Sequence, residues 1–588
     1  MKRETKNLTS KYRIITIIAV SLLIFAVLIA RFFNLQIINY SVYRTEALGN
    51  MLNRIDIAAP RGLVYDRNGK KIIYNVPCYN LVVYPHIIKQ NPETWKKLET
   101  VTGVPVETLM KNMKKNQYGA YRQAVVLHNI DFKTNTGINE DIRNFPGAEV
   151  VFSPIREYCD DIKSGNILGY TAQIRRGDIY KYRQRGYKLG DYIGFDGIEK
   201  QYEHLLKGER GYRYKQVNAI GKSISDQAYE QINPVPGNAL YLTIDLDLQA
   251  HAESLLLDHN GAAILMNYEN GEIMAAVSSP SYDPDIFTEG LTQTEWDSIM
   301  QDKRIPLFNR LIRGQYPAGS VYKMIAAIAA LEKNVITPST EYECTGSYRL
   351  GNRDYKCTHA HGVEDLNEAI AHSCNVYFYH IILDLGIDVW SDYAKKMGFG
   401  QATGIDLPKE LAGLSPDREF LDERYGKRKW WKGMWLNMVI GQGDVLVTPM
   451  QIISYTATLA THGKIVTPHF LRSVHYTDER SEETVEYPVK HISDISEKTW
   501  KEIESGMRNA VQSSRGTGRT GNVSGLDMCG KTGTAQNPHG QEHSWFLGYS
   551  RKKGFPYAVV AFVEQGGTGS ETAAPIAGQL LKAYYHMR

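Results

Sequence analysis

The stretch FNRLIRGQYPAGSVYK, from Phe308 to Lys323, carries the strongest local signal in this sequence. A tight Pro-Ala-Gly run comes directly before Ser320, and mostly apolar residues continue from Lys323 to Glu332. This pattern predicts a turn that opens a buried helix, with Ser320 in its first turn. Residues three positions apart share a helix face, so the Ser320 hydroxyl and the Lys323 amine are predicted to meet.

A serine next to a lysine is a recognisable arrangement for nucleophilic catalysis. A hydroxyl needs an adjacent base before it becomes a good nucleophile, and burial lowers the pKa of a lysine enough for it to serve as that base. The spacing alone is weak, because Ser550 and Lys553 repeat it on a predicted hairpin turn, where we expect a solvated surface pair. Ser320 differs from Ser550 because a Pro-Ala-Gly run precedes it and an apolar predicted helix follows it.

Two further motifs follow in the chain, S-x-N at 373–375 and K-T-G-T at 531–534. Taken singly, the first is as well explained by a serine at a helix end and the second by a surface turn. As an edge strand beside a cleft, K-T-G-T would offer positive charge, hydroxyl groups and a glycine that lets a ligand approach the backbone. In this chain order, S-x-x-K, S-x-N and K-T-G form the signature of penicillin-binding proteins and class A β-lactamases.

With these motifs, the sequence resembles the class B, monofunctional penicillin-binding proteins over nearly its whole length. Further matching stretches are RGLVYDRNG at 61–69, GFDGIE at 194–199, GQGDVLVTPMQ at 441–451 and HSWFLGY at 543–549. One departure is Ala318, where the family more often has proline. The stretch KRKWWKGMWLNMVIGQGD at 427–444 looks most like the elongation, or rod-shape, branch.

The resemblance implies a peptidoglycan D,D-transpeptidase that cross-links stem peptides through a serine acyl-enzyme, is acylated by β-lactams, and has D,D-carboxypeptidase activity on the side. The same residues leave two alternatives open, a septal transpeptidase of the same class and a β-lactamase of the same fold. A signalling receptor and an inactive scaffold fit the short N-terminus and the intact motifs less well. The implied catalytic residues are Ser320, Lys323, Ser373, Asn375 and Lys531, with Thr532, Gly533 and Thr534 in substrate binding.

The predicted fold class is α+β with four segments. Residues 1–13 are expected to be cytoplasmic, 14–33 to form a single transmembrane anchor, 34–236 an elongated, mostly β pedestal, and 237–588 the penicillin-binding domain. Two prolines and a glycine in NPVPGN, from Asn233 to Asn238, indicate the last boundary. Strands are predicted at both ends of the final domain, over residues 239–249, at 261–280 around the turn Asn270-Gly271, and as a hairpin at 543–565. Its antiparallel sheet should therefore join its N-terminal and C-terminal parts, with helices on the flanks. The turn at 66–69 between two β-rich runs predicts a further hairpin at 61–76.

The N-terminal apolar run places the protein at a membrane. Ile14 to Ala30 contains no charge and is long enough to begin a membrane span, and the excess of Lys and Arg before it favours a cytoplasmic N-terminus. We therefore expect a single-pass protein of the bacterial cytoplasmic membrane with an extracytoplasmic catalytic domain. The net charge of +4 gives no reason to expect nucleic acid as a partner.

Partners follow from the resemblance. The monofunctional class lacks a glycosyltransferase domain, so the glycan strands must come from a separate polymerase. The resemblance implies a SEDS-type polymerase and other membrane proteins of the elongation complex, besides the stem peptides themselves. The pedestal is predicted to control activity through such a partner, with Arg61 and Asp66 in its first motif. The alternative, that both residues only hold the pedestal together, stays open.

Cysteine and histidine residues near S-x-N predict a structural zinc site. Three thiolates and one imidazole are a common closed, four-coordinate set, although buried or disulfide-paired cysteines explain the residues equally well. The resembling elongation proteins carry a metal here, with acidic residues at two of the positions, and catalysis by the Ser–Lys pair needs none. The predicted ligands are Cys344, Cys357, His361 and Cys374, with His359 as a competitor of His361.

Overall fold

A computed structural model describes residues 4–38, 52–120, 123–175, 177–216, 230–288, 291–427, 429–477 and 482–588. The chain divides into two compact units. The smaller contains residues 1–60 and 208–236, and the larger contains 61–207 and 237–588. Most of the predicted pedestal therefore belongs to the same compact unit as the C-terminal domain.

The smaller unit contains the N-terminal apolar helix. The helix runs from Glu4 to Phe33, and within the described residues one span, Tyr12–Ile38, is long and apolar enough to cross a membrane. The predicted anchor at 14–33 lies inside it. The unit also has an antiparallel sheet of strands Leu52–Ile57, Gly211–Gln216 and Glu230–Ile232.

A five-stranded antiparallel sheet lies at the centre of the C-terminal domain. It joins the N-terminal and C-terminal parts of the domain, as predicted, because Gly261–Asn267 pairs with Tyr557–Val563. The K-T-G-T motif is on an edge strand of this sheet, which also agrees with the prediction. The strand order is Ile273–Ser279, Gly261–Asn267, Tyr557–Val563, His543–Ser550 and Met528–Ala535.

Both faces of this sheet are buried. Val560 and Phe562 point into the core that contains the Lys323–Glu332 helix. Val559 and Ala561 point into a second core, formed with helices Leu246–Leu255 and Ala573–Met587. Neighbouring residues of a strand face opposite sides, so a strand covered on both sides is apolar throughout, as YAVVAFV at 557–563 is.

A second, six-stranded sheet explains why the pedestal and the C-terminal domain form one unit. Its strand Val64–Tyr65 pairs in parallel with Ala239–Leu242 and antiparallel with Lys71–Val76, which confirms the hairpin predicted for RGLVYDRNG. The buried carboxylate of Asp66 accepts hydrogen bonds from the N–H groups of Asn68 and Lys70 at 2.8 and 2.7 Å and fixes the turn. The strand order is Glu483–Thr484, Leu471–His475, Ala239–Leu242, Val64–Tyr65, Lys71–Val76 and Ile155–Tyr158.

Residues 78–152 form a small lobe with its own core. Apolar residues repeat at helical spacing here, as at Trp95 and Leu98, so this part of the pedestal is more helical than the sequence analysis expected. Its strands are Tyr79–Val83, Ala124–Leu127 and Ala148–Phe152, and its helices are Pro85–Ile88, Thr94–Thr102, Val106–Asn116 and Phe132–Glu140. The following residues form helices Gly165–Leu168, Ile179–Tyr182, Gly197–Gln201 and Glu203–Leu206 and the strand pair Thr171–Gln173 and Tyr192–Gly194.

The strand predicted over Ala239–Gln249 is wrong in its second half. The strand ends at Leu242, and a helix begins at Leu246 because Asp245 accepts a hydrogen bond from the Leu248 N–H as its N-cap. The remaining longer helices are Gln293–Gln301, Leu366–Ala371, Asn375–Leu385, Ile387–Lys396, Arg418–Tyr425, Gly433–Val439, Pro449–Ala460 and Glu497–Gln512. Short strand pairs are Tyr342–Cys344 with Gly362–Glu364, Ser347–Leu350 with Arg353–Lys356, and Lys464–Val466 with Val489–His491.

A buried network of ion pairs holds the pedestal motifs together. Glu199 is fully buried and pairs with Arg61 and with Arg156, whose Nε lies 2.6 Å from Glu199 Oε1. Arg61 also lies 2.8 Å from Glu203 Oε2. The two motifs RGLVYDRNG and GFDGIE thus meet through charge, and the side chains of Arg61 and Asp66 are both engaged within the fold. This arrangement favours the structural role over partner control for these two residues.

Replacing Glu199 with Gln should destabilise the larger unit strongly. The substitution leaves Arg61 and Arg156 buried without a full counter-charge, and breaking a buried pair costs about 3–5 kcal/mol. Thermal unfolding should show a clear drop in midpoint. Asp388→Asn is the control, because its pair with Arg418 is exposed on both sides and exposed pairs contribute about 1 kcal/mol or less. Equal shifts for both variants would contradict the assignment.

Candidate active site

Ser320 lies in a short 3-10 turn, Gly319–Tyr322, which leads directly into the helix Lys323–Glu332. Gly319 has a φ of +61°, a left-handed conformation that favours glycine. Its N–H donates to the Gly441 carbonyl at 2.9 Å, and the Trp545 indole donates to the Pro317 carbonyl at 3.0 Å. These contacts hold the turn before Ser320 in one place.

Lys323 is completely buried at the start of the helix. Its Nζ donates to the Ser373 carbonyl at 2.7 Å, to Ser373 Oγ at 3.2 Å and to Asn375 Oδ1 at 2.7 Å. Within the described residues its hydrogen bonds all go to S-x-N, and the predicted direct bond to Ser320 Oγ is not among them.

Burial also sets the proton affinity of this lysine. Loss of solvation disfavours the charged ammonium and lowers the pKa of Lys323 to about 8. A lysine with this pKa is partly neutral near physiological pH, so it can accept a proton from a neighbouring hydroxyl.

The S-x-N motif begins the helix Asn375–Leu385, with Cys374 as its N-cap residue. Ser373 has a φ of +62°, which is rare for a residue with a side chain and costs about 1–2 kcal/mol. This conformation turns both the carbonyl and the hydroxyl of Ser373 toward Lys323. The side chain of Asn375 accepts from Lys323 through Oδ1, and its Nδ2 donates to the Lys356 carbonyl at 3.2 Å.

The K-T-G-T strand borders the nucleophile turn. A Cβ on Gly533 would lie 3.1 Å from the Ala318 carbonyl and 3.1 Å from the Val321 side chain. The glycine therefore lets the protein's own nucleophile turn approach the strand, and its role in admitting a ligand stays a prediction. Thr534, at the exposed end of the motif, accepts a hydrogen bond from the Gly569 N–H at 3.2 Å.

Lys531 is fully buried on this strand, and its Nζ donates to the Thr532 carbonyl at 3.0 Å. Desolvation, and then repulsion by Lys323, place the pKa of Lys531 well below its usual value. A ligand carboxylate bound beside Lys531 would favour the charged form of the lysine.

The four predicted metal ligands converge beside S-x-N. The Sγ atoms of Cys344, Cys357 and Cys374 and the ring of His361 place one donor atom each within 4.8 Å of one another. His361 Nδ1 lies 3.5 Å from Cys344 Sγ and 3.6 Å from Cys357 Sγ. The strand pairing explains the choice of histidine, because Cys344 pairs with Gly362 and brings the preceding His361, rather than His359, to the thiols.

The cluster favours a thiolate and contacts the catalytic motif directly. Hydrogen bonds from the Cys374 thiol and from the Asn375 N–H hold the pKa of Cys357 well below its usual value. The Asn375 N–H lies 3.1 Å from Cys357 Sγ. The position of the catalytic asparagine is therefore tied to the cysteine cluster through its own backbone.

The second S-x-x-K pair is structural, although not in the way predicted. Ser550 is buried at the end of a strand rather than solvated, and its Oγ donates to the Leu526 carbonyl at 2.8 Å. Lys553 is exposed in the following turn. The sequence spacing therefore recurs without any shared active site.

Two contributors to the site were missed in the sequence. Thr517 lies behind K-T-G-T, where its hydroxyl is 2.8 Å from that of Thr532. Gly441 supplies the carbonyl that holds Gly319. The Gly-rich run RGTGRTG at 515–521 indicates a tight loop. No local pattern connected Thr517 in this run with the K-T-G-T strand, which begins more than ten residues after it.

Two families match the chain. A penicillin binding protein transpeptidase domain matches residues 261–582, and a penicillin-binding protein dimerisation domain matches residues 56–242.

Similar proteins are known from other bacteria. The peptidoglycan D,D-transpeptidase MrdA of Haemophilus influenzae is 31% identical, over 100% of this chain and 93% of the relative. The penicillin-binding protein PBP2 of Helicobacter pylori, solved in a complex with MreC, is 28% identical with a TM-score of 0.80, covering 91% of this chain and 99% of that one. A chain from a peptidoglycan synthase complex that coordinates polymerization and crosslinking is 28% identical with a TM-score of 0.72, covering 98% and 99%.

The rate at which a fluorescent penicillin modifies the protein should rise with pH through about 8, the pKa that burial gives Lys323. Below this pH the lysine is protonated and cannot take the Ser320 proton, and above it the base form dominates. Measuring the acylation rate from pH 6 to 9.5 tests this. Lys323→Arg is the control, because arginine stays protonated over this range and should give a low, flat profile. A flat profile for the unmodified protein would exclude Lys323 as the base.

Proposed function

The chain belongs to the penicillin-binding proteins that combine a dimerisation domain with a transpeptidase domain, and we propose that it acts through Ser320 as a covalent nucleophile. It is a peptidoglycan D,D-transpeptidase of the elongation type. The observation that carries the serine mechanism is the buried amine of Lys323, which is hydrogen-bonded to Ser373 and Asn375 beside the nucleophile turn.

The proposed reaction has two stages. Lys323 takes the proton of Ser320, whose Oγ attacks the carbonyl of the D-alanyl-D-alanine bond. Ser373 then passes a proton to the departing D-alanine, which leaves an ester on Ser320. An acceptor amine attacks this ester, forms the cross-link and restores the serine. The hydrogen bonds of Lys323 to both the carbonyl and the hydroxyl of Ser373 support this relay.

Substrate positioning is assigned to the two edges of the cleft. Asn375 would hold an amide of the stem peptide. The positive charge of Lys531 with the hydroxyls of Thr532 and Thr534 would bind the terminal carboxylate. The backbone N–H groups of Ser320 and Thr534 would form the oxyanion hole, where losing one donor typically costs about 100-fold or more in rate.

The same acyl-enzyme accounts for two further activities. Water in place of the acceptor amine would release the shortened peptide, which is a D,D-carboxypeptidase side reaction. A β-lactam would acylate Ser320 in the same way as the substrate. The division and β-lactamase alternatives have no observation in their favour, since the similar proteins are elongation transpeptidases.

We place the protein in an elongation complex at the cytoplasmic membrane. The apolar span Tyr12–Ile38 fits a single-pass anchor, and the basic residues before it favour a cytoplasmic N-terminus and an extracytoplasmic catalytic domain. The likeness to a chain that coordinates polymerization with crosslinking supports a glycan polymerase as partner, and we propose one of the SEDS type.

We also propose a structural zinc ion in the cysteine cluster. Zinc at about 2.3 Å from each sulfur would place the sulfurs roughly 3.8 Å apart in a tetrahedron, and donor atoms that all lie within 4.8 Å of one another fit this arrangement. The lowered pKa of Cys357 favours the thiolate that zinc requires. When bound, the ion would hold the loop of Cys344 and Cys357 to the helix that begins at Asn375, and it would leave the chemistry to the Ser–Lys pair.

Ser320→Ala should abolish covalent labelling by a fluorescent penicillin, because the nucleophile is gone. Ser550→Ala is the matched control, since it alters the other S-x-x-K serine, and it should label as the unmodified protein does. Gel fluorescence and intact mass measure the adduct. Labelling of Ser320→Ala at the unmodified rate would show that another residue is the nucleophile.

Protein purified without chelator should contain about one zinc per chain, as a closed four-ligand site requires. Cys344→Ser should lose most of this zinc and unfold at lower temperature. Cys529→Ser, which changes a buried cysteine outside the cluster, should keep it. Metal analysis and thermal unfolding provide the measurements. A metal-free protein of full stability would rule the site out.

A further inference from the structure

Residues 427–432 read KRKWWK, with four cations and no acid, and the proposed mechanism uses none of them. The segment comes just before the helix Gly433–Val439. Trp431 of this segment lies against the hairpin Ser347–Leu350 and Arg353–Lys356, where its ring centroid is 6.4 Å from that of Tyr355.

Trp431 is exposed although it is firmly held. Its side chain is 48% exposed, whereas Tyr355 beside it is only 4% exposed. A Cβ at Gly433 would lie 2.2 Å from the Tyr355 hydroxyl and 2.3 Å from the Trp431 ring, so only glycine lets the two rings pack at this point. A large aromatic surface is thus presented to solvent on a rigid base, which is how aromatic residues contribute most to binding.

Two cations lie close to aromatic rings of this region. The guanidinium carbon of Arg353 lies 5.2 Å from the Tyr355 ring, and Lys432 Nζ lies 5.7 Å from the ring of Trp435. Both cations are exposed, and within the described parts of the chain neither forms an ion pair. Nearby acids are engaged elsewhere, Asp354 with Arg349 and Asp422 with the Trp430 indole. We call Arg353, Tyr355, Trp431 and Lys432 the aromatic shelf.

The shelf is connected to the catalytic groups at both ends. On one side, Lys356, next to Tyr355, offers its carbonyl to Asn375 Nδ2 at 3.2 Å. On the other, the helix from Gly433 leads to Gly441, whose carbonyl holds Gly319 beside the nucleophile. Eight residues of mostly helical chain span roughly 12 Å, so the shelf lies about one sugar-peptide unit from the reacting bond.

We propose that the aromatic shelf binds the glycan strand that carries the reacting stem peptide. The exposed Trp431 ring would lie against the apolar face of an amino sugar, while Arg353 and Lys432 would pair with carboxylates of the stem peptides. Peptidoglycan combines sugar rings with free carboxylates, and the shelf presents a ring and unpaired cations together. The inference rests on the proposed function, because the glycan strand is part of the peptidoglycan that the enzyme is proposed to cross-link.

The test compares matched variants of the full chain in detergent. Trp431→Ala and Arg353→Ala alter the shelf. Trp296→Ala changes an exposed tryptophan, 40% exposed, on another helix, and Arg349→Ala changes an arginine on the same hairpin that is paired with Asp354. Each protein is assayed for its Kd toward soluble, uncross-linked glycan–peptide strands and, separately, for its rate of acylation by penicillin.

Trp431→Ala and Arg353→Ala should each weaken strand binding by about fivefold or more, the usual effect of removing a well-placed Trp or Arg. Both controls should stay within about twofold, and all four variants should be acylated at the unmodified rate. When the carboxylates of the strands are amidated, Arg353→Ala should no longer weaken strand binding, whereas Trp431→Ala should still weaken it. If Trp431→Ala fails to be acylated because it misfolds, Arg353→Ala decides on its own.

Unchanged strand affinity in both shelf variants would overturn the proposal. So would equal affinity of the unmodified protein for polyglutamate and for glycan–peptide strands, because the surface would then be a general polyanion site. Failure of the catalytic proposal looks different, since the unmodified protein would then not be acylated while its strand affinity could still be measured.

Discussion

The buried amine of Lys323 is the constraint on which the active site depends. A cation removed from water without partners costs several kcal/mol, so the Lys323–Glu332 helix can pack only where oxygen acceptors reach its first residue. Ser373 and Asn375 provide them at 2.7 Å, and Ser373 adopts a left-handed backbone to do so. The geometry that satisfies the buried charge is also the geometry that brings together the proposed base, proton relay and amide clamp.

The surroundings maintain this arrangement from three sides. The edge strand with K-T-G-T packs against one side, where a Cβ on Gly533 would lie 3.1 Å from the Ala318 carbonyl. The Gly441 carbonyl fixes the turn before Ser320. The cysteine cluster holds Asn375 through its backbone N–H, with Cys357 Sγ as acceptor, and the hairpin strand that ends at Lys356, next to Cys357, contains two residues of the aromatic shelf. The proposed catalytic, metal-binding and strand-binding residues therefore share one continuous piece of structure.

Much of the fold was predictable because its signals are local. The hairpins at 64–76, 261–279 and 543–563 follow from strand alternation and turn residues. The central sheet follows from strands at both ends of the domain. Ambiguity arose where one short stretch served two elements, as at Ala239–Gln249, where a single N-cap at Asp245 changes a strand into a helix. The helices at 94–116 were not predicted, although apolar residues such as Trp95, Leu98, Leu109 and Met113 repeat at helical spacing in them.

By itself the sequence determined the three catalytic motifs, their order and the set of metal-binding residue types, since these depend on residue identity and spacing. Only the tertiary structure decided which of two residues with similar sequence signals lies at the site. It buried Ser550 in a strand and left Ser320 beside a cleft. It directed Lys323 to S-x-N rather than to Ser320, and it chose His361 over His359 through the pairing of Cys344 with Gly362. The physical reason is that side-chain convergence depends on strand register and helix packing between residues far apart in the chain.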